Sequence, residues 1–378
     1  MAIDFRHSEH HSVGIEIEVQ LVDRESLDLT HTSAQIIENI DGFEDSIKHE
    51  LMMSNLEINT KVCQNLAEAE KDLFNKFNVV ASEADRHNTL LLCAGGHPFS
   101  LCKDQQITKD RRYKRLMEKL QVVARRFNIF GLHVHVGIGS AEKCIYVMNQ
   151  MIYYLPHLLA LSANSPFWEG EHTGLKSYRT KVFENLPTAG LPFYFENWDD
   201  YAQLVKNYIA TDTIETIREI WWDIRPHPDF GTLELRICDA PSSIKEVLAI
   251  TALTQCLAAS FSSDFDRGIK QPRIHPSVTR ENKWRACRYG LDADLITENG
   301  KETIPAREAI RKLAAQVEKE AAELGALKHL KSIDEILENG DGASRQLRYW
   351  KERGELSSVV RGLTKDLSEE IAKYGKAQ

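Results

Sequence analysis

Three segments of the chain alternate apolar residues with reactive polar residues at every second position. They span residues 13–19, 131–137 and 231–237, and their reactive pairs are Glu16 and Glu18, His133 and His135, and Glu234 and Arg236. In a β-strand, residues i and i+2 point to the same face, while the residues between them point to the other face. We therefore predict three strands of one sheet, with an apolar face packed away from solvent and a polar face that lines a cavity for cations and an anion.

Elsewhere the spacing of apolar residues predicts mainly helices. The predicted helices cover residues 65–88, 110–127, 141–162 with an interruption at Pro156, 305–324 and 356–374. A buried strand is predicted over residues 89–94, and the chain is predicted to be mostly helical from about residue 242. Residues 164–197 are rich in proline and glycine and lack a regular pattern, which predicts a long loop that either covers a binding site or is solvated without such a role. Because the candidate site residues must meet, we predict one domain, residues 1–378.

Composition and charge exclude several classes of protein. The 378 residues carry a net charge of −9, so the chain lacks the basic footprint of a nucleic-acid-binding protein, and residues 103–126 are interpreted as the basic face of a surface helix. The seven cysteines are scattered without a C-x-x-C pair, which is typical of reduced thiols. The first residues lack the apolar run of a signal peptide, and the apolar stretch 247–261 is too short to span a bilayer. We expect a cytoplasmic protein with a core helix at 247–261 and no membrane or nucleic-acid partner.

Five glutamates are the candidate ligands of a metal site: Glu16, Glu18, Glu50, Glu57 and Glu234. Such a cluster is unstable unless cations neutralise it, and carboxylate oxygens favour Mg²⁺ or Mn²⁺. Magnesium commonly completes its coordination shell with substrate phosphates, which points to ATP. Glu50 and Glu57 are seven positions apart, so an uninterrupted strand would place them on opposite faces. A bulge or bend must intervene if both belong to the site.

The remaining polar residues leave alternatives open. His133 and His135 with a glutamate could bind zinc or iron, or one of them could assist a magnesium site formed by the glutamates. Arg236, on the same strand face as Glu234, could meet a transferring phosphoryl group. Further candidates for binding a substrate carboxylate or phosphate are His135, Lys176, Tyr178, Arg179 and Arg225. The sequence contains no P-loop, dinucleotide fingerprint or nucleophile elbow, so a nucleotide would be held by metals and arginines on a sheet face.

At this level of detail the chain resembles a known family. G-I-E-I-E near the N-terminus, the two acids at 50 and 57, G-L-H-V-H-V-G, A-L-S-A-N-S-P-F-W-E-G at 160–170 and W-W-D-I-R-P-H-P-D-F-G-T-L-E-L-R-I-C-D at 221–239 are similar to the YbdK-type carboxylate-amine ligases. These belong to the glutamate–cysteine ligase 2 family, within the glutamine synthetase/guanido kinase superfamily. The resemblance covers nearly the whole chain. It implies an α+β fold, with a largely antiparallel sheet that has a polar active-site face, helices on the other face, and a mainly helical part from about 242 to 378.

The resemblance also implies a function and roles for residues. It implies an ATP-dependent ligase that uses Mg²⁺ or Mn²⁺ to join a carboxylate to an amine through an acyl phosphate, with small-molecule substrates: ATP, an amino acid carboxylate, and an amine or amino acid. Carried over by motif, Arg236 would contact the γ-phosphate. The implied metal residues are Glu16, Glu18, Glu50, Glu57, His133 and Glu234. His135 departs from the more divergent members, so which imidazole coordinates stays open.

Two other functions remain open from the sequence. One is a nucleotide- or metal-binding regulatory protein without catalysis, and the other is the zinc or iron enzyme that uses both histidines. The resemblance leaves glutamate–cysteine ligation open as a weak activity, because a family does not fix the substrate pocket. The carboxylate and amine substrates and the oligomeric state, a homo-oligomer included, are not determined by the sequence.

Overall fold

The structure is a computed structural model that describes residues 3–270 and 272–376. Within them the strands are β1 (Val13–Asp23), β2 (Ile47–His49), β3 (Asn55–Asn59), β4 (Thr89–Leu92), β5 (Gly131–Gly137), β6 (Phe167–Trp168), β7 (Glu171–His172), β8 (Ile224–His227), β9 (Thr232–Asp239), β10 (Asp294–Ile296) and β11 (Thr303–Pro305). The α-helices are α1 (Ser33–Glu38), α2 (Leu66–Arg86), α3 (Arg111–Leu120), α4 (Val122–Arg125), α5 (Ala141–Met151), α6 (Leu155–Ser162), α7 (Tyr178–Phe183), α8 (Trp198–Ala210), α9 (Ile244–Asp266), α10 (Pro276–Tyr289), α11 (Ala306–Gln316), α12 (Glu318–Glu323), α13 (Leu327–Asn339), α14 (Gly342–Arg353) and α15 (Leu356–Lys376).

Seven strands form the central sheet. Six follow the order β2-β3-β1-β5-β9-β8, and β4 pairs with the C-terminal half of β1. Every pairing in this sheet is antiparallel. The long strand β1 holds the sheet together, because it pairs with β3 along one side and with β5 and β4 along the other. The predicted α+β fold with a largely antiparallel sheet is therefore confirmed.

The apolar residues of the predicted strands lie on the buried face of the sheet. Ile15, Ile17 and Val19 are each at most 1% exposed, and they share one hydrophobic core with Val134 and Leu235. Residues of α2, α5, α6, α9 and α15 belong to the same core, so helices cover this face as predicted. Burial of each such aliphatic side chain contributes about 1.5–3 kcal/mol, and the polar side chains between them are left on the opposite face.

Helix α9 is the longest element of this core. Among the described residues it is the one helix long and apolar enough to cross a membrane, but 83% of its most apolar window is buried inside the protein. The prediction of a core helix is thus confirmed. The argument from length was wrong, because the helix has 23 residues rather than 15 and only its burial identifies it.

The other predicted elements are confirmed in part. Helix α2 begins where predicted, because the Asn65 side chain caps it by accepting the Glu68 N–H at 3.0 Å. Pro156 lies in the first turn of α6, where its missing N–H breaks no helical hydrogen bond. Residues 164–197 contain β6, β7 and α7, so the prediction of one irregular loop is wrong. The hairpin β10–β11 within the helical C-terminal part was not predicted.

Helices α3 and α4, which we call the cover, lie over the polar face of the sheet. Their apolar residues pack in two small clusters that are separate from the main core. In one of them Leu120 and Ala124 pack with Phe183 of α7, and in the other Tyr113 packs with Leu51. On the outer side, Lys119 Nζ lies 3.0 Å from Glu219 and Arg115 pairs with Glu215. The basic stretch is therefore a surface helix as interpreted, but its inner side closes a cavity.

Candidate active site

The polar face of the sheet brings acidic, basic and imidazole side chains from six strands to one cavity of about 450 Å³. The antiparallel register sets these neighbours. The cross-strand pairs are Lys48 with Glu57, Glu57 with Glu18, Glu16 with His133, His135 with Glu234, and Glu234 with Arg225. Side chains opposite each other on one face of a sheet have Cβ atoms about 5 Å apart. The two side chains of each pair are therefore close enough to interact directly. The three strands with alternating patterns form the middle of this array.

Glu50 and Glu57 both line the cavity because the chain reverses between them. Glu50 follows the last residue of β2, and Glu57 lies in the neighbouring antiparallel strand β3. The two acids therefore sit on different strands, and the predicted bend is present. Asn59 Nδ2 donates to Glu57 Oε1 at 2.8 Å and holds that carboxylate in place.

A bulge in β9 positions Arg236. The register between β5 and β9 shifts at His133, where Arg236 and Ile237 stand opposite one residue of β5. Their N–H groups both donate to the backbone oxygen of Asp223, at 2.8 and 3.1 Å. Such an extra residue bends a strand and redirects its side chains. The Arg236 guanidinium then reaches back along the strand and donates to Glu234.

Asp223, whose backbone oxygen accepts the two N–H groups of the bulge, pairs through its side chain with a buried lysine. Lys283 of α10 donates to the Asp223 carboxylate at 2.6 Å and lies 2.8 Å from Glu184. Lys283 and Asp223 are 4% and 2% exposed. Burial raises the pKa of Asp223 even though Lys283 opposes this, while the two carboxylates raise the pKa of Lys283 against the effect of its burial. Lys283 therefore offsets only part of the free-energy cost of burying the Asp223 carboxylate.

Arg225 uses its donors on the protein. Its Nε donates to Glu234 Oε2 at 2.7 Å, and its Nη1 donates to the backbone oxygens of Ile217, Arg218 and Ile220 at 3.3, 3.0 and 2.6 Å. Its side chain is buried. Arg225 therefore orients Glu234 and fixes the segment before β8, and the donors that the predicted substrate contact required are already engaged.

Arg179 also borders the cavity and is engaged with the bulge. Its guanidinium donates to the backbone oxygens of Arg236 and Ile237 at 3.3 and 3.2 Å, and it lies 3.9 Å from the Asp239 carboxylate. A Cβ on Gly131 would lie 2.4 Å from Arg179 Nη2, so a larger residue there would displace the guanidinium from this position. Its Nε is buried without a hydrogen-bond partner among the described residues. Arg179 therefore holds the backbone of β9 in place at the bulge through these hydrogen bonds.

Lys176 and Tyr178 lie outside the cavity wall, so the structure does not support the prediction that they contact a substrate there. Lys176 Nζ donates to Ser344 at 2.7 Å, at the beginning of α14. Tyr178 packs on Trp168 with ring centroids 5.2 Å apart. The segment that carries them is held by backbone hydrogen bonds that Tyr178 donates to Ser165 and Lys176 donates to Cys287 of α10. Only its later residues, which include Phe183 and Leu186, reach the cavity.

Two of the glutamates are held ionised by their neighbours. Burial would raise the pKa of Glu16, but the imidazoles of His135 and His133 hold it well below its usual range. In the same way burial opposes ionisation of Glu234, and the guanidinium groups of Arg225 and Arg236 hold its pKa well below the ordinary value. Both carboxylates are therefore charged and available as oxygen ligands at neutral pH.

Three other glutamates lack this compensation. Burial raises the pKa of Glu18 to about 7, although Arg179 opposes the shift. Burial, with Glu57 and Glu18 as negative neighbours, raises the pKa of Glu50 well above its usual value, and burial and Glu16 raise that of Glu57. The Glu18 carboxylate also accepts the N–H of Gly131. Close buried carboxylates that resist ionisation in this way mark a place where added positive charge would be stabilising.

The two histidines occupy different ligand groups. Across the described residues, the ligand atoms of Glu16, Glu57 and His133 lie within 4.8 Å of one another, and so do those of Glu16, His135 and Glu234. His133 Nδ1 lies 3.2 Å from Glu16 Oε2, while His135 Nε2 lies 3.4 Å from Glu16 Oε1. The zinc or iron site that needs both histidines around one ion is therefore not formed. Glu18 and Glu50 stand beside these groups rather than in them.

These residues fit divalent cations. His135 Nδ1 is 2.9 Å from Thr232 Oγ1, which orients the ring, while its Nε2 is buried without a hydrogen-bond partner in the described part of the chain. A hydrogen bond to one ring nitrogen is the usual way in which a protein orients a metal-binding histidine. Together with the under-compensated carboxylates, this gives two adjacent oxygen-rich groups that share Glu16, as Mg²⁺ or Mn²⁺ requires.

Sequence reasoning missed much of the opposite wall. Its residues belong to the cover, α7, the segment after α7 and the segment before β8, and include Arg112, Leu116, Leu120, Phe183, Leu186, Arg218 and Trp221. It also missed His227 and Phe230 at the β8–β9 turn. Gly231 in that turn has a φ of +66°, and a Cβ there would lie 2.2 Å from the Arg6 backbone oxygen. The alternating pattern could not find these residues because they come from helices and turns.

Comparison with known proteins agrees with this geometry. A family model described as glutamate-cysteine ligase family 2 matches residues 12–362. A protein of Gloeobacter violaceus, provisionally named glutamate–cysteine ligase 2, is 43% identical over 371 residues, which are 97% of this chain and 100% of that protein. A protein of Solibacter usitatus with the same provisional name is 44% identical over 355 residues, 92% of this chain and 91% of that protein.

Two solved structures share the fold. A bifunctional glutathione synthetase from Pasteurella multocida superposes with a TM-score of 0.71 at 14% identity, over 96% of this chain and 52% of that one. A glutamate–cysteine ligase from Francisella tularensis in complex with AMP superposes with a TM-score of 0.68 at 13% identity, over 97% of this chain and 92% of that one. At these identities the likeness establishes the common architecture.

Proposed function

Since the chain belongs to glutamate–cysteine ligase family 2 and is an ATP-dependent carbon–nitrogen ligase, we propose that its polar sheet face converts a substrate carboxylate into an acyl phosphate and joins it to an amine. One observation carries the proposal: two groups of potential metal ligands share Glu16 and lie beside Arg236. A triphosphate needs this arrangement, because its charge must be neutralised on several oxygens while the terminal phosphoryl group is transferred.

The reaction has two steps. A carboxylate oxygen attacks the γ-phosphorus of ATP, a new O–P bond forms, and the bond to the β–γ bridging oxygen breaks so that ADP leaves. The amine nitrogen then attacks the acyl carbon, a C–N bond forms, and the C–O bond to phosphate breaks. The ammonium group of the second substrate loses two protons, of which one leaves on the phosphate and the other passes to solvent. The protein supplies no nucleophile in either step.

The chain's own residues position these groups. Glu16, Glu57 and His133 would hold one cation, and Glu16, His135 and Glu234 the other; Mg²⁺, when bound, would supply positive charge that offsets the charge of the triphosphate. Glu18 and Glu50, beside these groups, would add negative charge that favours cation binding. Arg236 would donate to the transferring phosphoryl group from the bulge that fixes its backbone. The cover would exclude water, which would otherwise hydrolyse the acyl phosphate.

Further properties follow as proposals. We propose that residues 1–378 form a single catalytic domain, because one hydrophobic core joins the sheet to helices as far as α15. A cytoplasmic location is supported by the seven cysteines, which are all free and buried. Glutamate and cysteine remain candidate substrates, as the names of the relatives suggest.

The test is a screen for ADP release. The protein is incubated with ATP and Mg²⁺ and with pairs drawn from amino acids and amines, and the amide product is identified by mass spectrometry. We expect ADP and amide in equal amounts for at least one pair, and formation of both at least about 10²-fold slower with Glu16→Gln. ADP release without amide for every pair, or turnover that persists after Mg²⁺ is chelated, would contradict the proposed ligase mechanism.

A further inference from the structure

The cavity has two ends of different chemistry, on opposite sides of the acidic groups. The strand register places His227, Thr232 and Gly137 together at one edge of the sheet. Gly131 and Asp239 lie together at the other edge. Glu16, His133 and Glu234 come between these edges. Two ligands could therefore enter from opposite ends and meet at the acidic centre.

The first end carries an aromatic pair. His227 and Phe230 stack with ring centroids 4.1 Å apart and planes inclined by 8°. Phe230 is 52% exposed, although it lines the cavity. A flat ring that is backed by a second ring and open on its other face is suited to stacking on a nucleoside base.

The second end is apolar. Ile129 precedes β5 and Trp221 precedes β8, so both lie at the edge opposite Phe230. Side chains of the cover, of α7 and of the segment after α7 complete this wall: Leu116, Leu120, Phe183 and Leu186. None of these side chains carries a charge, so this wall offers no ionic partner to a charged group of a ligand. A small side chain such as that of cysteine would leave most of the wall unfilled, whereas one the size of leucine or phenylalanine would bury it.

Two arginines that form no ion pair among the described residues border this apolar end, and one of them, Arg112, lies 5.6 Å from the centroid of the Tyr113 ring. The other arginines of the cavity already have roles: Arg225 pairs with Glu234, Arg179 donates to the backbone of β9, and Arg236, which also pairs with Glu234, is the proposed contact of the phosphoryl group. Arg112 and Arg218 also line the cavity, and within residues 3–270 and 272–376 neither side chain forms an ion pair. Arginine is the side chain best matched to a carboxylate, which it binds with two parallel hydrogen bonds.

We propose that the second end binds an α-amino acid with an apolar side chain, which serves as the amine substrate of the ligase. Its side chain contacts the apolar wall, its carboxylate pairs with Arg112 and Arg218, and its nitrogen faces the acidic centre. The carbon that bears all three groups can satisfy these contacts at once. This inference rests on the proposed ligase function, and it replaces cysteine as the preferred amine with an amino acid of leucine or phenylalanine size.

Binding is measured by calorimetry on the full chain with Mg²⁺ and a non-hydrolysable ATP analogue. The probes are L-leucine, L-phenylalanine, glycine, L-cysteine and isopentylamine, which is leucine without its carboxylate. We expect leucine or phenylalanine to bind at least about tenfold more tightly than glycine and cysteine, and leucine about tenfold more tightly than isopentylamine. Equal or weaker binding of the apolar amino acids would overturn the inference.

Paired variants assign the two ends. The variants are Leu116→Asp and Arg218→Ala. Leu116 is half-exposed and packs only against the two small clusters of the cover, and Arg218 is exposed, so neither change removes packing from the main core. Each should raise the Kd for leucine about tenfold or more and change the Kd for the ATP analogue by less than about twofold, whereas Phe230→Ala should do the reverse. If Leu116→Asp and Arg218→Ala weaken only the ATP analogue, the apolar end holds the base and the inference is wrong. Because binding is read without turnover, an absence of ADP release would count against the ligase function and not against this pocket.

Discussion

Replacing Lys283 with methionine should destabilise the protein by about 3–5 kcal/mol, because it leaves the buried Asp223 carboxylate without its cation. The side chain of methionine keeps much of the apolar stem of lysine, so the lost charge and not lost packing sets the effect. For a chain of 378 residues the entropy of unfolding is about 0.8 kcal/mol per kelvin, and the melting temperature should therefore fall by about 4–6 °C.

The double variant Asp223→Asn with Lys283→Met separates charge from packing. It removes both buried charges and leaves the backbone oxygen of Asp223, which accepts the N–H groups of Arg236 and Ile237. We expect it to recover most of the lost stability, since a buried ion pair contributes little net stability when both partners are replaced. Its kcat, measured well below the melting temperature, should remain near that of the unmodified protein because the bulge is intact.

Thermal unfolding followed by circular dichroism provides the assay. Lys312→Met is the matched control, since Lys312 forms an exposed pair with Glu308 one helical turn away, and its loss should change the melting temperature by less than about 1 °C. If the double variant is as unstable as Lys283→Met, an uncompensated charge is not the cause. If Lys283→Met has the same melting temperature as the unmodified protein, the buried ion pair does not contribute to stability and the reasoning fails.

Four further predictions concern the site and the histidines of the core. Glu16→Gln and Glu234→Gln should each lower kcat by at least about 10²-fold with the far-ultraviolet spectrum unchanged, and near-normal turnover of either would remove that residue from the metal groups. Arg236→Lys should lower kcat and kcat/KM together by about 10²–10³-fold, whereas an effect on the KM for ATP alone would exclude a role in the transition state. Calorimetry should show that ATP binds tightly only with Mg²⁺ or Mn²⁺, and equal affinity in a chelator would disprove a metal-dependent site. Burial lowers the pKa of His97 to about 3 and of His157 to about 4. Below pH 6.5 the unfolded chain therefore binds protons at these histidines that the native protein does not bind, so the melting temperature should fall as pH decreases from 6.5 towards 4. A constant melting temperature between pH 6.5 and 4 would argue against this role of the two histidines.

The sequence predicted those parts of the fold that depend on local pattern. Alternation at every second residue located β1, β5 and β9 and placed the acids and histidines on one face, because residues i and i+2 of a strand point to the same face. The start of α2 followed from the spacing of its apolar residues, and the structure adds the Asn65 cap. The motif resemblance named Arg236, but the bulge that aims it depends on the backbone oxygen of Asp223, and no local pattern shows such a contact.

The wrong and missing site residues share a physical cause. Lys176 looked like an anion contact in an irregular segment, yet its partner Ser344 is 168 positions away along the chain. Arg225 looked free, but it serves Glu234 and three backbone oxygens. Arg112 carries the same signature as any cation on a solvated helix face, and only its packing over the sheet separates the two cases. Long-range contacts decide each of these roles.

The separate packing of the cover has a consequence for how such enzymes can diversify. Leu116 and Leu120 belong to small clusters of their own, whereas the strands that hold the acids are part of the main core. A substitution on the cover therefore alters the shape of the pocket without propagating through the packing beneath the metal groups. Substrate preference can drift through α3 and α4 while the phosphoryl-transfer apparatus remains unchanged, and libraries confined to these two helices should yield folded proteins with altered amine selectivity.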